Sequence, residues 1–320
     1  MIDSYGRNIN YLRISVADLC NLRCSYCMPP SGVVKKARCE IMSLEKIERI
    51  AQAAVRLGFK KIRLTGGEPL VRREIPELIH EIAKLKSGSL EEIGLTTNGT
   101  LLKDFAGKLK RAGLTRVNIS LDSLDGDKYR LISGGGELKK VFEGMEAAFE
   151  AGLTPLKLNV VLIGGFNENE IENFVRLTQG QDLEVRFIEL MPIGEASHWS
   201  SNHFVTGEEI LRQVPQLIEM PFRGRGNVAR LYKLPNSKGK VGIISPLSHH
   251  FCNYCNRIRI TTDGRLKPCL HSDVELNSQN YSVDKMERFL LDGIKAKPFS
   301  HHIVSNNYRP IIRNMNEIGG

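Results

Sequence analysis

Short β-rich runs alternate with amphipathic helical stretches from residue 11 to about residue 190, and this rhythm constrains the fold more than any other feature. The six predicted strands are YLRIS (11–15), KIRLT (61–65), EIGLTT (92–97), RVNISLD (116–122), LKLNVVLI (156–163) and LEVRFIEL (183–190). Repeated βα units predict parallel strands connected by crossover helices. We therefore expect an α/β chain that forms a barrel, an incomplete barrel or an open doubly wound sheet.

Side chains along the predicted strands separate into a polar and an apolar face. In the first strand Tyr11, Arg13 and Ser15 share one side, while Leu12 and Ile14 share the other, because successive side chains point to opposite faces. Crossover helices need the apolar face, so the polar face is expected to line an interior. A closed eight-stranded barrel fills its interior with branched apolar side chains. The pattern therefore favours an incomplete barrel around a polar, anionic ligand, with solvated strand edges as the alternative.

The pattern changes after Met191. The rest of the chain contains one helical stretch, GEEILRQVPQLIEM, and a possible strand pair, VARLYKL and VGIIS, separated by loop-like segments. We predict two units: a partial barrel over residues 1–195 and a smaller module over residues 196–320 that packs on it.

Charge and composition narrow the partners. Lys and Arg exceed Asp and Glu by nine in 320 residues, which favours an anionic partner such as a nucleotide, phosphate or nucleic acid. No window has the run of about 18 apolar residues that a membrane-spanning helix needs. We expect no membrane association and a cytoplasmic location, where seven clustered cysteines are better explained as metal ligands than as disulfides.

Three of the cysteines, Cys20, Cys24 and Cys27, form a C-x3-C-x2-C loop directly after the first strand. Barrels of βα units place their chemistry at this end of the strands. Zinc usually takes close ligand pairs from two segments. Three thiolates on one loop instead suit three corners of a [4Fe–4S] cluster whose fourth iron is open to a small molecule.

A second set, Cys252, Cys255 and Cys269, has the spacing C-x2-C-x13-C. This spacing leaves zinc and an iron–sulfur cluster equally open, because a histidine could complete a zinc site. The candidate histidines are His249, His250 and His271. Arg257 and Arg259, in NRIR directly after Cys255, favour a nucleotide site because guanidinium groups match phosphate and purine acceptors.

The first cysteine loop resembles the motif of the radical S-adenosylmethionine enzymes, with Tyr26 directly before the last cysteine. TGGEP (65–69), which ends the second predicted strand, resembles a second motif of that superfamily. The resemblance implies that S-adenosylmethionine binds the open iron and that Tyr26 lies against its adenine. The glycines then let the backbone approach the methionine amino group.

Longer motifs resemble the GTP 3′,8-cyclase family from about Tyr11 to Gly320. They are CNLRCSYC, KIRLTGGEP, LTTNG, NISLDSLD, RFIELMPIG, FCNYCNRIR with Cys269, and a C-terminal Gly-Gly. This resemblance implies an incomplete (β/α)6 TIM-like barrel whose open side is closed by a C-terminal module. It also implies two [4Fe–4S] clusters that face each other across the lumen, held by Cys20, Cys24 and Cys27 and by Cys252, Cys255 and Cys269.

The family resemblance further implies the first step of molybdenum cofactor biosynthesis. A 5′-deoxyadenosyl radical removes the C3′ hydrogen of GTP, and C3′ attacks guanine C8. The product is (8S)-3′,8-cyclo-7,8-dihydroguanosine 5′-triphosphate. An electron donor, and a cyclic pyranopterin monophosphate synthase that takes the product, are implied as partners. A homodimer is allowed, and nucleic acid is not expected.

The resemblance also assigns a role to individual residues. The expected S-adenosylmethionine contacts are Tyr26, Gly67, Ser120 and Met191. The expected GTP contacts are Arg13, Arg63, Thr96, Lys157, Arg257 and Arg259. The Gly319-Gly320 tail is expected to reach into the active site and to be required for turnover. Simpler explanations exist for three positions: Ser120 satisfying backbone, Met191 in the core and Thr96 beginning a turn.

Two features depart from the family pattern or stand outside it. The segment LISGGGELKK (131–140) has more glycines than the family pattern leads us to expect, and Cys39 is predicted to be a bystander. Two other functions fit only part of the sequence. A peptide-modifying radical enzyme usually carries more C-terminal cysteines, and a zinc-stabilised nucleic-acid-binding protein leaves the first cysteine loop and GGEP unexplained.

Overall fold

The computed structural model describes residues 1–29, 31–33, 36–198, 202–221, 226, 228–301, 303, 311 and 313–319. All six predicted strands are confirmed, and each begins at the predicted residue. They are β1 (Tyr11–Ser15), β2 (Lys61–Thr65), β3 (Glu92–Thr97), β4 (Arg116–Ser120), β5 (Leu156–Leu162) and β6 (Leu183–Glu189). The helices among them are α1 (Leu44–Arg56), α2 (Ile75–Ala83), α3 (Leu102–Ala112), α4 (Gly126–Ile132), α5 (Leu138–Glu150) and α6 (Ile171–Gly180).

The C-terminal part is built from shorter elements. They are α7 (Glu208–Gln213), β7 (Ile218–Glu219), β8 (Arg230–Lys233), β9 (Lys240–Ile244), β10 (Arg257–Ile260), β11 (Arg265–Lys267), β12 (Leu276–Asn277), α8 (Met286–Lys295) and α9 (Met315–Ile318). The predicted helix in GEEILRQVPQLIEM is shorter than expected, because Val214 leaves the helical region before Pro215, as residues before proline do. β7 forms instead.

In the described part of the chain, twelve strands form one sheet in the order β12-β11-β10-β1-β2-β3-β4-β5-β6-β9-β8-β7. The eight strands from β10 to β9 are parallel, and antiparallel hairpins end both edges. The described strands do not close, which confirms the incomplete barrel. Both edges come from the C-terminal part, which extends the sheet rather than only packing on it.

The alternation along the strands has the predicted consequence. In β5, Leu156, Leu158 and Val160 are buried against the helices, while Lys157 and Asn159 take the opposite face. No helix among the described residues is long and apolar enough to cross a membrane.

The C-terminal tail crosses the mouth of the lumen. Ile311 pairs with Ile193, just beyond β6, and both pack with Ile318 in a small apolar cluster. Gly319 then lies against Ser15 and Thr65, at the ends of β1 and β2. The tail therefore connects one side of the open sheet to the other.

Candidate functional site

The first cysteine loop lies at the C-terminal end of β1 and is held by the glycine-rich segment. Arg23 N–H donates to the Ser133 carbonyl at 2.8 Å, and Ser25 N–H donates to the Ile132 carbonyl at 3.0 Å. A Cβ atom at Gly134 would collide with Arg23. The extra glycines of residues 131–140 therefore allow this segment to support the cysteine loop closely.

The three thiols of this loop share a buried, electron-rich environment. Burial raises the pKa of Cys20, Cys24 and Cys27. Neighbouring thiols raise the pKa of Cys24 and Cys27 further, and that of Cys27 reaches about 12. Asn98 Nδ2 lies 3.7 Å from Cys20 Sγ. These thiols need a cation to become thiolates, which is what iron supplies.

The spacing of the cysteines suits a cluster better than a single ion. No three Cys, His, Asp or Glu side chains of the described residues gather tightly around one point. A zinc site brings its sulfurs within about 4 Å of one another, because each lies about 2.3 Å from the same ion. A cubane binds each thiolate through a different iron, and all three cysteines of the loop are free to bind one.

TGGEP connects the cysteine loop to β3. A Cβ at Gly67 would collide with the carbonyls of Leu19 and Asp18, so this glycine is required by the cysteine loop itself. Glu68, which the sequence reasoning missed, accepts hydrogen bonds from Thr97 Oγ1 at 2.8 Å and from Asn98 N–H at 2.7 Å. Burial raises the pKa of Glu68 to about 7.

Tyr26 is fixed by a carboxylate that the sequence reasoning also missed. Its hydroxyl donates to Asp122 Oδ2 at 2.7 Å, and Asp122 Oδ1 accepts from Val161 N–H at 2.8 Å. Burial raises the pKa of Asp122 to about 6. The motif NISLDSLD contained the signal, because Asp122 follows the polar face of β4.

Four arginines and Tyr11 form a cationic strip on the polar faces of β10, β1 and β2. Arg13 lies opposite Arg259 on one side and Arg63 on the other. Arg63 Nε donates to Tyr11 Oη at 2.5 Å, and Arg257 lies 5.4 Å from the Tyr11 ring centroid.

The closely spaced positive charges of this strip shift the pKa values of its residues. Burial and Arg257 lower the pKa of Arg259 to about 10, and burial and Arg259 lower that of Arg13. Burial acts to raise the pKa of Tyr11, but Arg63, Arg13 and Arg257 together lower it to about 8. Such a strip favours an anionic ligand.

Other polar groups of the lumen have a shifted pKa or lack a hydrogen-bond partner among the described residues. Burial and Arg186 lower the pKa of Lys157 to about 8, and Lys157 Nζ lies 3.3 Å from Glu184. Several buried polar atoms have no hydrogen-bond partner among the described residues, and four of these are Thr96 Oγ1, Asn118 Oδ1, Asn159 Oδ1 and Arg257 Nε. Buried polar atoms are rarely left unpaired, so these atoms indicate a polar ligand.

The second cysteine set lies at the other end of the same strands. Cys255 precedes β10, which runs parallel to β1, and Cys269 follows the antiparallel β11. The two sets are therefore separated by the length of β1, roughly 16 Å at 3.3 Å per residue, with the cationic strip between them. Burial raises the pKa of Cys252.

The histidines near this set contact one another. His250 Nδ1 lies 3.1 Å from His301 Nε2, and the rings of His271 and His301 are 5.2 Å apart. His249 lies 3.9 Å from a Glu208 oxygen.

The tail reaches the cationic strip. Arg259 Nη1 donates to the Gly319 carbonyl. Gly319 has φ of 86°, and a Cβ there would collide with Thr65 Oγ1, so only glycine fits. Met191 packs on the apolar cluster of the tail, and Ser120 lies opposite Asn159. Gly320 lies outside the described residues.

This open barrel, with a three-cysteine loop at the end of its first strand, is that of a radical S-adenosylmethionine enzyme. Residues 14–178 match the Radical SAM superfamily, and residues 183–303 match Molybdenum Cofactor Synthesis C. The chain is 49% identical to a GTP 3′,8-cyclase of Alkaliphilus oremlandii, over all of both chains, and 50% identical to one of Peptoclostridium acidaminophilum, over all of this chain and 98% of that one. The chain belongs to the GTP 3′,8-cyclase family.

Solved structures support the fold alone. Streptococcus suis SuiB superposes with a TM-score of 0.61 at 16% identity, over 88% of this chain and 66% of that one. SuiB bound to S-adenosylmethionine gives 0.56 at 15% identity, over 88% and 64%. Family membership makes [4Fe–4S] clusters and S-adenosylmethionine the cofactors of this enzyme.

Proposed function

We propose that this enzyme converts GTP to (8S)-3′,8-cyclo-7,8-dihydroguanosine 5′-triphosphate, the first step of molybdenum cofactor biosynthesis. The observation that carries the proposal is the cationic strip between the two cysteine sets. It combines Arg13, Arg63, Arg257 and Arg259 in a lumen with unpaired polar atoms. A triphosphate supplies the negative charge that this strip needs.

Cys20, Cys24 and Cys27 would hold the first [4Fe–4S] cluster, which would supply the electron for cleavage of S-adenosylmethionine to the 5′-deoxyadenosyl radical. Tyr26, fixed by Asp122, orients the adenine. The other proposed S-adenosylmethionine contacts are Gly67, Ser120 and Met191.

Cys252, Cys255 and Cys269 would hold the second cluster, which would supply an open iron for the guanine. The four arginines of the strip, with Lys157 and Thr96, bind the remainder of GTP and hold C3′ towards the first cysteine loop. Gly319 and Gly320 are proposed to be required for turnover, which the contact of Gly319 with Arg259 supports. Fixed geometry matters because C3′ must lie within reach of C8.

We further propose that the chain divides near residue 195 into the partial barrel (1–195) and the C-terminal module (196–320). The two family matches support a division into two units, and they divide the chain between residues 178 and 183, before β6. The proposed setting is the cytoplasm, with an electron donor and a cyclic pyranopterin monophosphate synthase as partners, and a homodimer as the assembly.

The test uses GTP deuterated at C3′ with reduced, anaerobic enzyme and S-adenosylmethionine. We expect deuterium in 5′-deoxyadenosine and formation of the cyclised triphosphate. Arg257→Ala should abolish cyclisation while iron content stays near that of the wild type. The absence of deuterium from 5′-deoxyadenosine, with product still formed, would refute the proposed hydrogen abstraction.

A further inference from the structure

Lys297, just beyond α8, occupies an unusual position beside the second cysteine set. Its side chain is buried, with 3% of the residue exposed. Its Nζ donates to the carbonyl of Arg257 and to the carbonyl of Pro268, both at 2.9 Å. Arg257 lies two residues after Cys255, and Pro268 directly precedes Cys269. One ammonium group therefore joins the two segments that carry these cysteines.

The charge of this ammonium group acts on the nearby cysteines. A lysine ammonium has three N–H donors, and two are used by the carbonyls. The positive charge of Lys297 acts to lower the pKa of both Cys252 and Cys255. Burial acts to raise the pKa of Cys255, but Lys297 and Arg257 lower it overall, in contrast to the raised pKa of Cys252.

The charge of Lys297 lacks a carboxylate counter-ion. No Asp or Glu of the described residues forms an ion pair with it, whereas the equally buried Lys267 lies 3.4 Å from Glu275. A buried ammonium group without an anion is costly, and two carbonyl dipoles compensate it only in part. The charge of Lys297 is therefore available to a group bound between the segments of Cys255 and Cys269.

We propose that Lys297 is a positioning residue for the second [4Fe–4S] cluster, which it supports in two ways. It holds the segments of Cys255 and Cys269 together, and its positive charge stabilises the thiolate-bound cluster and raises the cluster's reduction potential. Hydrogen bonds to the sulfurs and nearby charge set such potentials. The inference rests on the proposed assignment of this cluster to Cys252, Cys255 and Cys269.

The test isolates the second cluster in full-length protein carrying Cys20→Ala, Cys24→Ala and Cys27→Ala. In this background we compare Lys297→Met, Lys297→Arg and the control Lys295→Met, which removes an exposed charge two residues away. Iron content and the midpoint potential, from a redox titration followed by electron paramagnetic resonance, are measured. We expect Lys297→Met to lower the midpoint potential or the iron content below about four per chain, and Lys297→Arg to retain both.

Equal iron content and equal midpoint potential in Lys297→Met and Lys295→Met would overturn the proposal. If Lys297→Met does not fold, Lys297→Gln keeps amide donors for the carbonyls but removes the charge. We expect Lys297→Gln to fold with a lowered potential, and an unchanged potential would reduce Lys297 to a purely structural clamp. A background protein without iron, although Lys297 is intact, would instead refute the assignment of the cluster.

Discussion

Two tyrosines of the lumen show how single residues divide it electrostatically. The pKa of Tyr26 is raised by burial and by Asp122, while that of Tyr11 is lowered to about 8 by Arg63, Arg13 and Arg257 against the effect of burial. The end near the first cysteine loop therefore favours positive charge, and the strip favours negative charge. This division matches the sulfonium of S-adenosylmethionine at one end and the triphosphate of GTP along the strip.

Removal of one hydroxyl tests the link between Tyr26 and Asp122. Tyr26→Phe removes one of the two donors of the buried Asp122 carboxylate and leaves the Val161 N–H, and a hydrogen bond to a charged group contributes about 1.5–3 kcal/mol. We expect the free energy of unfolding to fall by that amount and S-adenosylmethionine to bind more weakly. Urea unfolding of anaerobic protein and equilibrium dialysis measure the two effects.

The matched control is Tyr129→Phe. Tyr129 Oη is buried without a hydrogen-bond partner among the described residues, so its loss should leave stability unchanged or improved. Equal stability losses in Tyr26→Phe and Tyr129→Phe would show that the bond to Asp122 contributes nothing specific.

The ionisation of Lys157 predicts a pH dependence for GTP binding. Its pKa is lowered to about 8, first by burial and then by Arg186, with Arg116 and Arg63 also contributing and Glu184 opposing. Below pH 8 the side chain is an ammonium group, and above pH 8 it is increasingly a neutral amine. The dissociation constant for GTP should therefore rise as pH increases through about 8.

Tyr11 titrates in the same range, and its phenolate would also weaken the binding of an anion. The measurement therefore uses Tyr11→Phe as the background. Adding Lys157→Arg, whose guanidinium stays charged, should flatten the alkaline rise. An equally steep rise with Lys157→Arg would exclude Lys157 as its cause.

At the scale of elements, strands were predictable where local alternation determines them. β1 to β6 begin at the predicted residues because each has one polar and one apolar face. The pairing of β10 with β1 and of β9 with β6 could not be predicted. Parallel partners far apart in sequence are chosen by the fit of the whole sheet, and β10 has only four residues.

The same limit applies to the site. Cysteine spacing and strand faces identified the candidate residues. Asp122, however, acts on Tyr26, about 96 positions away, and Lys297 acts on Cys255, about 42 positions away. Such pairs leave no local spacing pattern.

The tail is an element held in place by Arg313. Its guanidinium lies 2.9 Å from an Asp263 oxygen, in the turn between β10 and β11, and 2.7 Å from a Glu275 oxygen, directly before β12. Arg313→Ala should release the tail, so that Gly319 no longer lies at the strip. We expect kcat to fall at least about tenfold, the effect of about 1.4 kcal/mol, with iron content unchanged.

Arg265 is the matched control for this prediction. It lies 3.3 Å from the same Asp263 and 3.8 Å from the same Glu275, but it is not part of the tail. Arg265→Ala should retain most of the activity, and Arg313→Lys should restore part of it. Equal activity losses in Arg265→Ala and Arg313→Ala would show that the loss of activity comes from disturbing Asp263 and Glu275 and not from releasing the tail.

At the scale of the molecule, one strand length separates the two cysteine sets, so each end of the lumen has its own task. Residues before 191 supply the cysteines of one end, and residues after 250 supply the cysteines of the other. The sequence predicted both sets but left the second open to zinc, because the direction of β10 relative to β1 was needed to place it across the lumen.

This separation predicts that cleavage of S-adenosylmethionine can persist when cyclisation of GTP is lost. Replacing Cys252, Cys255 and Cys269 with alanine should lower iron from about eight to about four per chain, one cubane's worth. Cleavage of S-adenosylmethionine should persist, while cyclisation of GTP is lost. The reciprocal replacement of Cys20, Cys24 and Cys27 should also leave about four irons but abolish cleavage. Cys39 is exposed, so Cys39→Ala should change neither quantity. Loss of all iron in the variant without Cys252, Cys255 and Cys269 would mean that the first cluster cannot assemble without the second.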